Sequence, residues 1–66
     1  MFIVIELQTN SDGTCGNFVW AFETRAEAES KYHSVLAAAA VSTVRVHAAV
    51  LLQNDGMCLA SKAYTH

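Results

Sequence analysis

Thr43-Val-Arg-Val-His-Ala-Ala-Val-Leu-Leu-Gln-Asn-Asp-Gly-Met-Cys-Leu-Ala-Ser-Lys-Ala-Tyr64 is the stretch that decides the fold. It reads as two strand-forming runs joined at Asp55-Gly56, the strongest short-range signal for a β-hairpin. A two-residue type I′ turn needs positive φ at both central positions, and Asp-Gly supplies it at low steric cost. That turn would pair Gln53 with Cys58, Leu51 with Ala60, Ala49 with Lys62, His47 with Tyr64 and Arg45 with His66. Strand side chains alternate, so these residues share one surface. Val44, Val46, Ala48, Val50, Leu52 and Leu59 share the other, and its apolar character predicts the core side. The hairpin is thus expected to separate a core face from a cationic, aromatic cluster of Arg45, His47, Lys62, Tyr64 and His66.

The rest of the chain supplies three more elements. Phe2 to Gln8 alternates as a strand. Ile3, Ile5 and Leu7 lie on one face, with Val4, Glu6 and Gln8 on the other. Thr9 to Asn17 is turn-rich. Phe18 to Glu23 is rich in strand formers. A two-residue turn at Asp12-Gly13 pairs Leu7 with Phe18, Ile5 with Trp20 and Ile3 with Phe22, which makes Trp20 a core residue. A bulged turn, which Gly16 leaves open, shifts the register by one and moves the aromatics to the opposite face.

Thr24-Arg-Ala-Glu27 fits a capping box and opens a helix. Ala28, Tyr32, Val35, Leu36, Ala39 and Ala40 recur at helical spacing and mark its buried stripe. Glu27 and Lys31 form an expected i,i+4 pair, and Ala37–Ala40 has high helix propensity. Tyr32 falls at the core edge and His33 in solvent. No glycine follows the helix to cap it.

The order ββαββ defines one domain over residues 1–66, of α+β class. A right-handed helical crossover makes strands two and three parallel. An antiparallel sheet in order 2-1-3-4 satisfies every pairing, with the helix on one face. The other face is expected to carry Val4, Val19, Ala21, Ala49 and Leu51 beside the polar cluster. A half-apolar bare sheet favours a homo-oligomer, a two-fold dimer or higher.

Size and composition bound the function. A chain of 66 residues buries only about 60% of its unfolded surface. Its 53% hydrophobic content is more than so small a core can hide, again pointing to an oligomer. The net charge of −2, with four Lys and Arg, speaks against binding duplex nucleic acid. The opening residues lack a secretion-signal pattern, and no run approaches membrane-spanning length, so a cytoplasmic protein with no membrane partner is expected. Cys15 and Cys58 form no CxxC pair and read as reduced thiols.

Neither a metal nor a cofactor is expected. His33, His47 and His66 lack metal-ligand spacing. No nucleophile sits in sequence beside its base, no phosphate-cradling glycine motif occurs, and no catalytic residue is assigned. The cluster of Arg45, His47, Lys62, Tyr64 and His66 therefore carries the only chemistry. Arg offers a planar fork to phosphate, Lys a point charge, and Tyr a donor with a ring for a base. The plainer reading of the same residues is a solvated hairpin face with a Glu6–Arg45 ion pair across strands.

Three stretches, Met1-Phe-Ile-Val-Ile-Glu-Leu-Gln-Thr-Asn10, Ala26-Glu-Ala-Glu-Ser-Lys-Tyr-His-Ser-Val-Leu-Ala-Ala-Ala-Ala-Val-Ser42 and Val46-His-Ala-Ala-Val-Leu-Leu52, carry a resemblance. They resemble a set of very small proteins of phages and prophages of Firmicutes. By class analogy, the resemblance implies an anti-defence protein that sequesters a small anionic nucleotide immune signal of the cyclic ADP-ribose type. The same sequence also admits a protein-interaction module, or a structural oligomer of the virus particle, acting through the open sheet face without a small-molecule ligand.

Overall fold

The computed structural model describes all 66 residues, Met1–His66. Strands β1 (Phe2–Thr9) and β2 (Cys15–Phe22) precede helix α1 (Arg25–Ala40). Strands β3 (Val46–Gln53) and β4 (Cys58–Thr65) follow it. The four strands form one antiparallel sheet in the order β2-β1-β3-β4, as the crossover argument requires.

Both hairpins turn in the same way, and neither uses a type I′ turn. Gly13 N–H donates to Asn10 O (3.0 Å) and Asn10 N–H to Thr14 O (2.8 Å). In the second hairpin Gly56 N–H donates to Gln53 O (2.9 Å) and Gln53 N–H to Met57 O (2.9 Å). Each loop therefore has three residues, with its glycine alone at positive φ: +89° for Gly13 and +90° for Gly56. This is the type I turn followed by a left-handed glycine, the next most common hairpin connection. The preceding aspartates lock the motif. Asp12 Oδ1 accepts from the Thr14 N–H (3.0 Å) and hydroxyl (2.7 Å), and Asp55 Oδ1 accepts from the Met57 N–H (3.0 Å). The Thr14 hydroxyl, aided by its backbone N–H, holds the Asp12 carboxyl below the usual carboxylate range.

One extra loop residue moves each register by one, with different outcomes. In the first hairpin Val4 pairs with Trp20, Phe2 with Phe22 and Glu6 with Phe18. The expected Ile5–Trp20 register is thus corrected, and the aromatics move to the face of Val4. In the second hairpin Leu52, not Gln53, pairs with Cys58. A bulge between Leu51 and Leu52 leaves Leu59 without a partner. That bulge restores the expected pairings of Leu51 with Ala60, Ala49 with Lys62 and His47 with Tyr64. Arg45 precedes β3, and its carbonyl accepts from the His66 N–H at 2.7 Å.

The larger correction concerns which face is covered. Helix α1 packs on the side of Val4, Ala49 and Leu51, all of which are buried with Ala28, Tyr32 and Val35. Phe2, Trp20, Phe22 and Ala60 pack around them, so Trp20 belongs to the core although its neighbour is Val4. Val4, Ala49 and Leu51 were expected on the bare side and are the centre of the core instead. The reason is steric. The right-handed crossover fixes the side on which the helix lies, and the three-residue loop puts the large aromatics there. The small Ala49, fully buried, lets the helix come close.

The uncovered face carries Ile3, Ile5 and Leu7 from β1, with Val19 and Ala21 from β2. Strand β3 adds Val46, Ala48, Val50 and Leu52, and β4 adds Ser61 and Ala63. Val46, Ala48, Val50 and Leu52, expected in the core, are only half-buried there, while Val19 is 60% exposed and Leu7 41%.

The helix buries Ala28, Tyr32, Val35 and Ala39, as its periodicity predicts. Leu36 is half-buried and Ala40 exposed. Thr24 caps it, accepting from the Glu27 N–H (3.3 Å), while the Glu27 carboxylate accepts from the Thr24 hydroxyl (2.8 Å). Glu27 is therefore turned toward the cap and not toward Lys31. The helix-surface ion pair is instead Arg25–Glu29 at 2.9 Å. Thr24→Ala should lower the unfolding free energy by about 1 kcal/mol, read by urea denaturation, through the loss of that cap. At the other end Val41 N–H donates to Ala38 O and Ser42 N–H to Ala39 O, both at 3.3 Å. The His66 ring completes the cap: its Nε2–H donates to Ala39 O at 2.8 Å. No helix is long and apolar enough to cross a membrane.

Candidate functional site

Two surfaces carry the chemistry of the chain: the end of the helix-side face near the start of β3, and the open face. On the first, alternation along β4 places Lys62, Tyr64 and His66 in a row. The Tyr64 and His66 rings stack at 6.4 Å with planes 7° apart, and Lys62 Nζ lies 5.0 Å from the Tyr64 ring centroid. A cation over a ring face is worth roughly 0.5–1 kcal/mol at an exposed site. Arg45, exposed, joins the end of this row through its backbone contact with His66. Lys62 is also exposed and Tyr64 half-buried.

His47 pairs with Tyr64 across the strands but is drawn inward, with 5% of its surface exposed. Its Nε2 lies 2.5 Å from Glu6 Oε2. An ionised carboxylate has no proton to give, so Nε2–H donates. Gln8 adds a longer hydrogen bond to the same oxygen, at 3.4 Å. The cross-strand partner expected for Glu6, Arg45, is thus replaced by His47, which hydrogen-bonds it. The other ring nitrogen, Nδ1, is buried without a hydrogen-bond partner. A neutral ring leaves only a lone pair there, the cheaper of the two orphans.

The five residues singled out in the sequence therefore divide. Arg45, Lys62, Tyr64 and His66 gather at one end of β4, with His66 also bonded to the helix terminus. His47 lies beneath them, engaged by Glu6. Glu6 was absent from that set. Its role was legible in principle, since the strand order sets Gln8 opposite His47 and places Glu6 diagonally beside it.

A second aromatic group lies at the β2 edge. The Phe18 and Trp20 rings stack at 6.1 Å, and Lys31 Nζ sits 4.1 Å from the Trp20 ring centroid. This is where Lys31 goes in place of the Glu27 pair. Phe18 is 55% exposed. No pocket opens on the chain, and no cluster of three His, Cys, Asp or Glu side chains is placed to hold a metal. Cys15 and Cys58 are free thiols, both exposed.

Tyr32, buried between helix and sheet, has its phenol raised above the ordinary value of 10.0. Burial is the main cause, with smaller contributions from Cys58 and Tyr64 that raise it and from Lys62 that lowers it. A raised folded-state value means the neutral phenol is favoured by folding. The stability this contributes is complete below the ordinary phenol range and is lost as pH rises through the folded value. Stability should therefore decline above about pH 10, and Tyr32→Phe should flatten that decline. Urea unfolding across an alkaline series checks it; an unchanged slope in Tyr32→Phe would contradict it.

The second surface is the open face. Its sixteen strand positions, four from each of the eight-residue strands, include no charged side chain. The helix-side face carries Glu6, Lys62 and two histidines. Charge is thus confined to the covered side, the reverse of an ordinary half-solvated sheet, in which the polar face looks outward.

Comparison of the chain with known protein families, with curated proteins and with solved structures finds no match.

Proposed function

We propose that the chain is a non-enzymatic, homo-oligomeric interaction module of phage or prophage origin, working in the host cytoplasm through its open sheet face. The observation that carries this reading is the uncharged, largely aliphatic surface formed by all four strands on the side away from α1. Monomeric soluble proteins rarely leave a contiguous apolar patch of more than a few hundred Å² exposed. The non-enzymatic part is supported by what the reactive side chains do. His47 is engaged by Glu6. Among hydrogen-bond partners, Cys15 has Thr9 and Gly13, and Cys58 has the Ala60 carbonyl; neither has an imidazole.

In-cell photo-crosslinking tests the reading. A photoreactive residue at Val19, exposed on the open face, should give discrete adducts. The same residue at Ala26, exposed on the helix, should give none. Equal background at both positions would contradict it.

A second reading is favoured by the Lys62–Tyr64–His66 row with Arg45 at its end. In it, Arg45 and Lys62 hold the phosphates of a cyclic ADP-ribose-type signal, and Tyr64 contacts the base or ribose. Calorimetric titration with a panel of such nucleotides tests it: heat that Arg45→Ala reduces at least tenfold in affinity supports it, and no heat with any member contradicts it.

A further inference from the structure

We infer that the open face is covered by a second copy of this chain, in an aligned sandwich whose two-fold axis runs along the strands, between β1 and β3. This rests on the proposed reading of the open face and names its occupant. Three observations carry it.

The first is the thinness of the core. Only eight of the 66 residues are buried, and the largest fully buried side chains are Leu51 and Val4. A core of this size supplies about 3–5 kcal/mol at most. A chain so placed needs a partner present whenever it is present, and another copy of itself meets that condition.

The second is area. The molecule measures 35 Å by 20 Å in outline, so one copy offers roughly 700 Å², close to the ~800 Å² per partner of a standard interface. The absence of charge on this face removes the usual means of selecting a partner of different sequence, and leaves shape.

The third is the pattern on the face, which selects the axis. At one end the two central strands present aliphatic pairs, Ile3 with Leu52 and Ile5 with Val50, flanked by Cys58 and Ser61 on β4. The last row is Cys15, Thr9, Val46 and Thr65. An axis across the strands sets the aliphatic end of one copy against the threonine end of the other. An axis along the strands keeps like rows together, with β1 of one copy over β3 of the other. Leu7, 41% exposed, then lies above Ala48, beside Ala63. These two alanines are the smallest neighbouring pair in the central rows, so a projecting side chain meets a hollow. Aligned sandwiches of this kind pack at about −30° with sheets about 10 Å apart.

The test uses purified protein. Light scattering on a sizing column should give twice the 7.1 kDa chain mass. In a sample mixed from labelled and unlabelled chains, intermolecular nuclear Overhauser effects should join the Leu7 methyls to the Ala48 methyl. Val50→Lys should weaken association roughly 30-fold or more while circular dichroism stays unchanged. Should that variant fail to fold, Ala63→Lys, at an already exposed position, carries the same expectation. A dimer whose intermolecular contacts join other rows, or lie on the helix or an edge strand, overturns the inference. So does a monomer at every concentration. If such a monomer still gives Val19 adducts of another mass in cells, the open face still binds a partner, and the second copy and the homo-oligomeric part of the reading are wrong. If it gives no adducts, both fail.

Discussion

Leu51→Ala is expected to lower the free energy of unfolding by about 3 kcal/mol, and Leu52→Ala by less than about 1 kcal/mol in the monomeric Val50→Lys background. The two residues are adjacent and chemically identical, so only their faces differ. Leu51 is among the largest fully buried side chains and touches the cluster of Val4, Ala49, Tyr32 and Val35. Truncation there removes burial and leaves a cavity beneath a helix that cannot settle fully into it, which costs roughly 2–5 kcal/mol. Leu52 is half-buried on the side without a helix, so its truncation leaves solvent and no cavity. Set against the ~3–5 kcal/mol available to a core of this size, Leu51→Ala should populate the unfolded chain at room temperature. Urea midpoints of the two variants decide the matter; equal losses would place the helix wrongly.

The second large effect concerns Glu6. Glu6→Ala is expected to cost about 2 kcal/mol, because the buried His47 loses the acceptor of its Nε2–H while Nδ1 already has no hydrogen-bond partner. Glu6→Gln keeps an acceptor and should cost less. The informative variant is the double one. With His47→Leu in place, no buried donor remains to be orphaned, so adding Glu6→Ala should cost little. The cycle should return a coupling of roughly 2 kcal/mol. A coupling near zero would mean that the pair is exposed in solution.

Much of the fold follows from patterns short enough to read. The alternation of Phe2–Gln8, the capping residues at Thr24 and the stripe from Ala28 to Ala39 each report on neighbours within a few residues. The order β2-β1-β3-β4 follows from one helical crossover. The error lay in the loops. Asp12-Gly13 and Asp55-Gly56 both suggest a two-residue turn, yet each glycine is the third residue of a longer loop. Because side chains alternate, one residue of slippage exchanges the faces.

In the second hairpin the bulge at Leu59 cancels the slippage, which is why the pairing of His47 with Tyr64 was legible. In the first hairpin nothing cancels it, and the aromatics change sides. The choice of face was not legible either, because both faces of β3 are apolar: Ala49 and Leu51 on one, Ala48, Val50 and Leu52 on the other. Periodicity alone cannot say which of two greasy faces receives a helix. The parity of the whole sheet depends on the lengths of both loops. The candidate site suffers from the same inversion. Lys62 and Tyr64 share a side with His47 as expected, but that side is the one the helix covers; Arg45 and His66 lie outside the paired strands.

Helix α1 lies over Val4, Ala49 and Leu51 and leaves the Ile5 and Val50 side free. Nuclear Overhauser effects from the Tyr32 ring and the Val35 methyls test it directly. They should reach Val4, Ala49 and Leu51; contacts to Ile5, Ala48 and Val50 in their place would contradict it.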